Sequence, residues 1–314
     1  MNESVISTQD LTRYYASRCV VSGLTLSVPR GCVFGFLGRN GAGKSTTIRM
    51  LMGLVAPTRG SASLLGVDCT RLTPEVRARV GYLAEGHQVY GWMNVAEAER
   101  FQSGCYKWWN GKLFQTVIDH FRLTRDMRAK DLSRGQRAGL CLALTLAPEP
   151  ELLILDDPAL GLDPVARHSL LQAMIYVTRQ AGQTILFSSH LLSDVERVAD
   201  RIAVIDAGIL RADCPVDTFR ERIKRLRLAF TGPAPDPIPT VPGLLSSQRD
   251  GRDLVLTIAN YDERAEAILR ALGPTRIEFS ELSLEEAFIE YVGRQAASSP
   301  LLPEVEIAPE VKSI

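Results

Sequence analysis

The sequence has no long hydrophobic run. Its 314 residues are 46% hydrophobic, which is enough for a core. However, no stretch approaches the roughly 18 apolar residues needed to cross a bilayer. The N-terminus carries Glu3 and no apolar segment, so we expect no secretory signal. Any association with a membrane is therefore expected to depend on a partner.

Paired cysteines and an excess of one charge sign are also missing. The six cysteines are scattered, without a C-x-x-C pair or metal-ligand spacing, which is typical of reduced side chains in a cytosolic protein. Acidic and basic residues number 36 each, so the formal net charge is zero. This balance does not favour a nucleic-acid partner, although it leaves room for a local basic patch.

The sequence contains a glycine-rich segment, residues 38–46, that fits the phosphate-loop pattern G-x-x-x-x-G-K-[ST]. A strand-like run precedes it and a helix-like pattern follows, which weighs against a chance turn before a core helix. Glycines 38, 41 and 43 are predicted to take positive φ so that backbone amides face an anion. Lys44 is predicted to bind phosphates and Ser45 to bind Mg²⁺. The predicted contacts are Gly38, Arg39, Asn40, Gly41, Ala42, Gly43, Lys44, Ser45 and Thr46.

Two apolar runs end in residues that could act on a phosphate. Residues 152–155 read as a central parallel strand buried on both faces, and Asp156 and Asp157 follow it. Because ligands bind beyond the carboxyl ends of such strands, Asp156 is predicted to hold Mg²⁺ and Asp157 to orient the attacking water. Two solvated turn carboxylates are the alternative. His190 follows the run 183–188 and is predicted to contact the γ-phosphate, although a lone histidine is more often structural.

Several weaker signals have a functional and a structural interpretation. Tyr15 could stack on an adenine face or could pack against the protein. Ser133 and Gly135 open an apolar helix, where free amides favour an anion, but a serine cap explains them equally well. Asp163 and Pro164 form the cap and first residue of the next helix.

The remaining segments predict a helical lobe and a small C-terminal domain. Residues 84–130 are rich in aromatic side chains at helical spacing, which we interpret as core by default and as a partner surface in the alternative. Residues 219–227 are basic and are predicted to form a solvated helix face, or else a lipid-headgroup contact. Residues 253–281 predict strand, helix and strand, and Ser283 caps a last helix. Residues 295–314 are predicted to be disordered.

Together these motifs resemble the ATP-binding cassette (ABC) family of transporter ATPases over residues 1 to about 216. The resemblance implies an α/β P-loop NTPase fold, with an ABC ATPase domain at 1–216 and an inserted helical subdomain at about 86–135. A small α+β appendage is expected at 217–294. Residues 38–46 resemble Walker A, 152–156 Walker B, 132–136 the signature sequence, 161–163 the D-loop, and His190 the switch histidine.

The resemblance also implies a function. ATP would bind with Mg²⁺ between two ABC subunits, either two copies of this chain or this chain and a paralogue. Hydrolysis would drive a separate membrane permease, here expected to be an exporter, which would hold the chain at the cytoplasmic face of the membrane. Outside the phosphate loop, the implied nucleotide contacts are Tyr15, Ser133, Gly135, Gln136 and Asp163. The implied catalytic residues are Asp157, His190 and Glu85, and the implied metal ligands are Ser45, Asp156 and Glu85.

Three positions depart from the family pattern. Glu85 stands where the family has a glutamine, and Arg134 replaces the second signature glycine. Asp157 replaces the catalytic glutamate, which shortens the side chain by roughly 1.5 Å. A shift of that size can reduce a rate on the order of 10²-fold. A nucleotide-gated switch with little hydrolysis is therefore an alternative function. A soluble ABC protein acting on ribosomes or DNA is another. Such soluble proteins usually carry two cassettes or long coiled-coil insertions, and neither is visible here.

Overall fold

The computed structural model describes residues 4–238 and 240–293, so the expected disordered tail lies outside the described residues. The chain divides into two compact units, Met1–Leu210 and Arg211–Ile314. The strands are β1 (Ser4–Tyr15), β2 (Arg18–Pro29), β3 (Val33–Leu37), β4 (Arg59–Leu64), β5 (Val67–Asp68), β6 (Val80–Leu83), β7 (Leu152–Leu155), β8 (Thr184–Ser189), β9 (Arg201–Asp206), β10 (Ile209–Pro215), β11 (Ile223–Ala229), β12 (Leu244–Asp250), β13 (Asp253–Ala259) and β14 (Arg276–Ser280). The helices are α1 (Lys44–Leu51), α2 (Pro74–Arg77), α3 (Val95–Ser103), α4 (Gly111–His120), α5 (Arg134–Leu146), α6 (Pro164–Ala181), α7 (Leu192–Val198), α8 (Val216–Arg222), α9 (Glu263–Ala271) and α10 (Leu284–Gly293).

An antiparallel sheet in the order β2-β1-β4-β5 begins the first unit. Residues 11–15 belong to β1 and continue its pairing with β2. Buried Leu11 pairs with Leu24, and register shifts on both sides of it let the long strand bend without losing its partner. The hairpin closes where Tyr15 pairs with Arg18.

A parallel sheet in the order β9-β3-β8-β7-β6 forms the centre of the first unit. Every residue of β7 and β8 is buried, as their continuous apolar runs predicted for strands covered on both faces. The α/β fold class is therefore confirmed. Because the strands are parallel, their carboxyl ends share one edge, and the phosphate loop, Asp156, Asp157 and His190 all follow strands at that edge.

Capped helices build the aromatic-rich stretch. Asn94 and Glu97 form a capping box on α3, and Asn110 caps α4. Phe114 and Phe121 are buried as expected, but four other aromatic side chains are 55% to 66% exposed: Tyr90, Trp92, Phe101 and Trp108. For these four, the default interpretation as core is wrong. Within the described part of the chain, no helix combines the length and the apolar character required to span a membrane.

The second unit contains an antiparallel sheet in the order β12-β13-β11-β14. The predicted basic helix face at 219–227 is wrong, because α8 ends at Arg222 and β11 follows. Arg225 and Arg227 alternate along β11 with buried Leu226 and Leu228, which is strand periodicity. Strand β12 was missed because its second half is polar and exposed, as suits an edge strand. The predicted cap of α10 is confirmed, since Ser283 and Glu286 bond reciprocally.

Candidate functional site

The loop between β3 and α1 is shaped by close backbone approaches. Gly43 has φ 109° and precedes α1, and a Cβ there would lie 2.7 Å from the Val20 carbonyl oxygen. Gly41 also has positive φ, at 80°. The prediction of positive φ for Gly38 is wrong. Glycine is required there because a Cβ would collide with the backbone oxygen of Ile205, a residue of β9.

This loop borders a cavity of about 240 Å³. Its lining comprises Val20, Asn40, Gly41, Gly43, Lys44, Ser45, Thr46, Glu85, Asp156 and Asp157. Three predicted contacts, Gly38, Arg39 and Ala42, are not among the lining residues. Ala42 is 4% exposed and belongs to the hydrophobic core. The carbonyls of Gly38 and Arg39 face Lys44 instead.

Lys44 is the cation of the cavity and is 7% exposed. Its ammonium donates to the Gly38 carbonyl at 2.6 Å and more weakly to that of Arg39 at 3.3 Å. Burial lowers the pKa of Lys44, while the nearby carboxylates, that of Asp157 first, act to raise it. The ammonium is thus held among acceptors in a partly desolvated site, where attraction to an anionic ligand is stronger than in water.

Hydroxyl and carboxylate oxygens meet beside the lysine. Ser45 Oγ donates to Asp156 Oδ1 at 3.0 Å, and Ser188 Oγ donates to the same oxygen at 2.8 Å. Asp156 is 1% exposed, so its position is determined by these bonds and by packing. Sequence reasoning missed Ser188, although a serine near the carboxyl end of a buried strand is a usable signal.

Asp157 and His190 form a second polar pair. His190 Nδ1 lies 2.7 Å from Asp157 Oδ2, and the imidazole donates because a carboxylate only accepts. The other oxygen, Asp157 Oδ1, is buried and has no hydrogen-bond partner among the described residues. A buried acceptor of this kind is costly unless a ligand or water fills it. The backbone of Asp157 has φ 45°, and its amide donates to Ser188 Oγ at 2.8 Å.

The segment after β6 brings one predicted and one unpredicted residue to the site. Glu85 lines the cavity, as its predicted role requires. His87, which sequence reasoning missed, is 5% exposed, and its Nε2 lies 2.8 Å from the Pro158 carbonyl. Burial lowers the pKa of His87, which favours the neutral imidazole.

The signature residues use their polar groups within their own helix. Ser133 Oγ accepts from the Gln136 amide, and the Gln136 side chain accepts from the Ser133 amide, which makes a capping box on α5. Gly135 packs so tightly that a Cβ would lie 2.7 Å from Ala166 Cβ. Asp163 caps α6 by accepting from the amides of residues 165 and 166. None of Ser133, Gly135, Gln136 and Asp163 is among the described residues that line the cavity.

Tyr15 lies at the end of the β1–β2 hairpin and is 41% exposed. The Arg13 guanidinium carbon lies 4.6 Å from the centre of its ring, a cation–π contact. Val20, five residues further on, lines the cavity. Tyr15 itself is not among the lining residues, and its ring is partly exposed.

Comparison with known proteins identifies the family to which these features belong. Residues 21–160 match the model of the family described as ABC transporter. The bacitracin transport ATP-binding protein BcrA of Bacillus licheniformis is 33% identical over 224 residues, covering 71% of this chain and 73% of the relative. The chain belongs to the ABC transporter family. The Nod factor export ATP-binding protein I of Neorhizobium galegae is 31% identical over 300 residues, covering 92% of this chain and 85% of the relative.

Solved structures show the same fold. A structure titled as the ATP binding subunit of an ABC transporter aligns with a TM-score of 0.63 and 29% identity, covering 69% of this chain and 92% of the other. The ATP-binding cassette MJ0796, in a dimeric post-hydrolysis state with ADP and Pi, aligns with a TM-score of 0.60 and 18% identity, covering 67% of this chain and 98% of the other. The chain is an ABC ATPase with a P-loop NTPase fold, as its motifs predicted, and the role of each site residue stays a prediction.

Proposed function

We propose that this ABC ATPase binds Mg²⁺-ATP, pairs with a second cassette around the nucleotide, and powers export through a separate membrane permease. The observation that carries the proposal is the separation of two half-sites in one chain. The cavity holds the lysine and the carboxylates, while Ser133 and Gly135 are not part of its lining. A second cassette, the same chain or a paralogue, would supply the missing half.

The residues of the cavity fit a magnesium ion. Ser45 Oγ and Asp156 Oδ1 are 3.0 Å apart, Glu85 also lines the cavity, and all three offer oxygen ligands. Mg²⁺ commonly binds through one or two carboxylates together with waters and substrate phosphates. The bound ion would neutralise charge on the phosphates. Ser188 contributes by holding Asp156 Oδ1 in place at 2.8 Å.

Four further residues are assigned to phosphate binding, water activation and adenine stacking. Lys44 binds phosphate oxygens, and Asp157 accepts a proton from the attacking water at its unpartnered Oδ1. His190 holds Asp157 Oδ2 at 2.7 Å. We assign to it the contact with the γ-phosphate that the family resemblance implies. Tyr15 offers its partly exposed ring to the adenine.

The permease contact is assigned to an exposed aromatic surface that we define as Tyr90, Trp92 and Phe101. The Tyr90 ring centre lies 6.0 Å from that of Trp92 and 6.2 Å from that of Phe101. A groove of about 340 Å³ runs beside them and includes Tyr90 and Phe101 in its lining. Clustered exposed aromatics are typical of protein interfaces. The segment that carries them begins directly after Glu85, which lines the nucleotide cavity, so the chain itself connects a partner bound here to that cavity.

Export is the direction suggested by the relatives, which include a daunorubicin/doxorubicin resistance ATP-binding protein from Streptomyces peucetius, 37% identical over 234 residues. The alignment covers 71% of this chain and 70% of the relative. Permease attachment would hold the chain at the cytoplasmic face of the membrane. A slow, switch-like cassette is the second candidate, because Asp157 is shorter than the glutamate usual in the family.

The transporter role is tested by purifying the tagged chain from detergent-solubilised membranes. We expect a protein with membrane-spanning helices to accompany it and to change its ATPase rate when both are reconstituted. The double variant Trp92→Ser, Phe101→Ser should lose this partner while the isolated chain keeps its ATPase activity. Leu54→Ser, an equally exposed apolar residue elsewhere in the first unit, is the matched control. Recovery of the partner with the double variant would refute the assigned surface, and failure to find any membrane protein would refute the transporter role.

A further inference from the structure

His87 has no role in the site as described so far, yet it is buried and directed at the backbone beside Asp157. It is 5% exposed, and Nε2 lies 2.8 Å from the Pro158 carbonyl oxygen. Because a carbonyl only accepts, Nε2 carries the proton and donates. The bond joins the segment after β6 to the segment after β7, 71 residues apart in sequence.

The backbone around Asp157 needs anchoring. Asp157 has φ 45°, a left-handed conformation that is uncommon for a residue with a side chain. Its amide donates to Ser188 Oγ at 2.8 Å, and its carbonyl accepts from the Leu160 amide at 3.1 Å. The next residue, Pro158, has no N–H, so its carbonyl is the next available anchor, and His87 occupies it.

The short side chain of Asp157 makes this anchoring important. Aspartate has one fewer rotatable bond than glutamate, so the position of its carboxylate follows the backbone more closely. Oδ2 is bonded to His190, and Oδ1 is buried with no hydrogen-bond partner among the described residues. A small displacement of the backbone would therefore move the free oxygen away from the water it must orient.

We propose that His87 is a positioning residue for ATP hydrolysis, which holds the Pro158 carbonyl and thereby places the Asp157 carboxylate. The inference rests on the proposed role of Asp157 and adds a residue that acts through it. His87 is not among the residues that line the cavity, so it acts without touching the nucleotide. Its effect belongs to the chemical step rather than to binding.

The test compares His87→Ala, His87→Gln and His87→Phe in the purified full chain. Glutamine keeps an N–H donor at a similar reach, whereas phenylalanine fills the space without a donor. We expect His87→Ala to lower kcat roughly tenfold to a hundredfold, with an unchanged Kd for a non-hydrolysable ATP analogue. Glutamine should restore much of kcat, and phenylalanine should restore Tm but not kcat. His120→Ala, on the exposed end of α4, is the control and should match the wild type.

Three results would overturn the inference: an unchanged kcat in His87→Ala, rescue of kcat by phenylalanine, or a loss of analogue binding that explains the rate. A second variant tests action through Asp157. In an Asp157→Ala chain there is no carboxylate to place, so His87→Ala should lower the residual rate no further. A further full-sized loss would contradict the proposal. If the wild type hydrolyses ATP and His87→Ala matches it, only this inference fails. If the wild type binds ATP without hydrolysing it, the hydrolytic role of Asp157 fails as well.

Discussion

Two regions of the first unit contribute to one predicted site and use their polar groups in opposite ways. Around the cavity, the Lys44 ammonium donates to two loop carbonyls, and Asp157 Oδ1 has no hydrogen-bond partner among the described residues. At the signature helix, Ser133 and Gln136 already satisfy each other. The cavity thus combines a buried cation with carboxylate oxygens in one chain, as a nucleotide bound with Mg²⁺ would need, whereas the N-terminus of the signature helix is already capped by its own side chains. The contrast is what a site shared between two cassettes requires.

The largest effect should come from removing the cation of the cavity. Lys44→Ala deletes a charge-assisted phosphate contact worth about 1.5–3 kcal/mol, so nucleotide affinity should fall about 10- to 150-fold. Titration with Mg²⁺-ATP in a calorimeter measures this directly. Lys112→Ala, on α4, is the matched control and should bind as the wild type does. Equal affinity in Lys44→Ala would show that the cavity is not the phosphate site.

Lengthening the catalytic side chain should raise the rate. Asp157→Glu moves the carboxylate toward the position usual in the family, and we expect kcat to rise on the order of 10- to 100-fold. Steady-state phosphate release at saturating ATP is the measurement. If the wild type already hydrolyses ATP quickly and the substitution does not raise kcat, Asp157 does not slow hydrolysis. The switch-like alternative then loses its support.

On the signature side, Gly135→Ala should disturb the contact between α5 and α6. The added methyl would lie 2.7 Å from Ala166 Cβ, and overpacking of this kind costs about 1–3 kcal/mol. Hydrolysis should fall about tenfold while the single chain still binds nucleotide, because the cavity is untouched. Gly111→Ala, where a Cβ meets nothing within 4 Å, is the control. Loss of nucleotide binding in Gly135→Ala would contradict the claim that the cavity binds nucleotide independently of the signature helix.

The smallest effect is expected from Ser133→Ala. Loss of a serine cap costs about 0.5–2 kcal/mol of stability, so the midpoint of urea unfolding should fall modestly. Ser45→Ala should leave this midpoint nearly unchanged, because its hydroxyl bonds a carboxylate that Ser188 also holds. A larger fall in the urea midpoint for Ser45→Ala than for Ser133→Ala would contradict this expectation.

The sequence predicted best those parts of the site that are local. The phosphate loop and the carboxylates after β7 are read from neighbouring residues, because a loop cradle and a buried strand each have short patterns. His87 and Ser188 were missed because their contacts join positions that lie 71 and 32 residues apart. No sequence pattern near His87 indicates its partner, whereas the position of Ser188 near the carboxyl end of a buried strand was a usable signal.

The errors in the fold have a similar origin. Gly38 was assigned positive φ from its neighbours, but its glycine is required by the backbone of β9, which only the folded sheet brings close. Residues 219–227 read as a basic helix because charge was weighed above the alternation of Arg225 and Arg227 with buried leucines. The exposure of Tyr90, Trp92 and Phe101 depends on tertiary packing, which composition does not report.

The most direct test of the shared site is the mass of the nucleotide-bound particle. Sedimentation velocity of the Asp157→Ala chain, which should bind ATP without consuming it, is run with Mg²⁺-ATP, with ATP and chelator, and in a Lys44→Ala background. We predict a particle of two chains only in the first condition. A particle that keeps the mass of one chain at saturating Mg²⁺-ATP would contradict self-pairing, and persistence of that mass with every co-expressed paralogue would contradict the shared site itself.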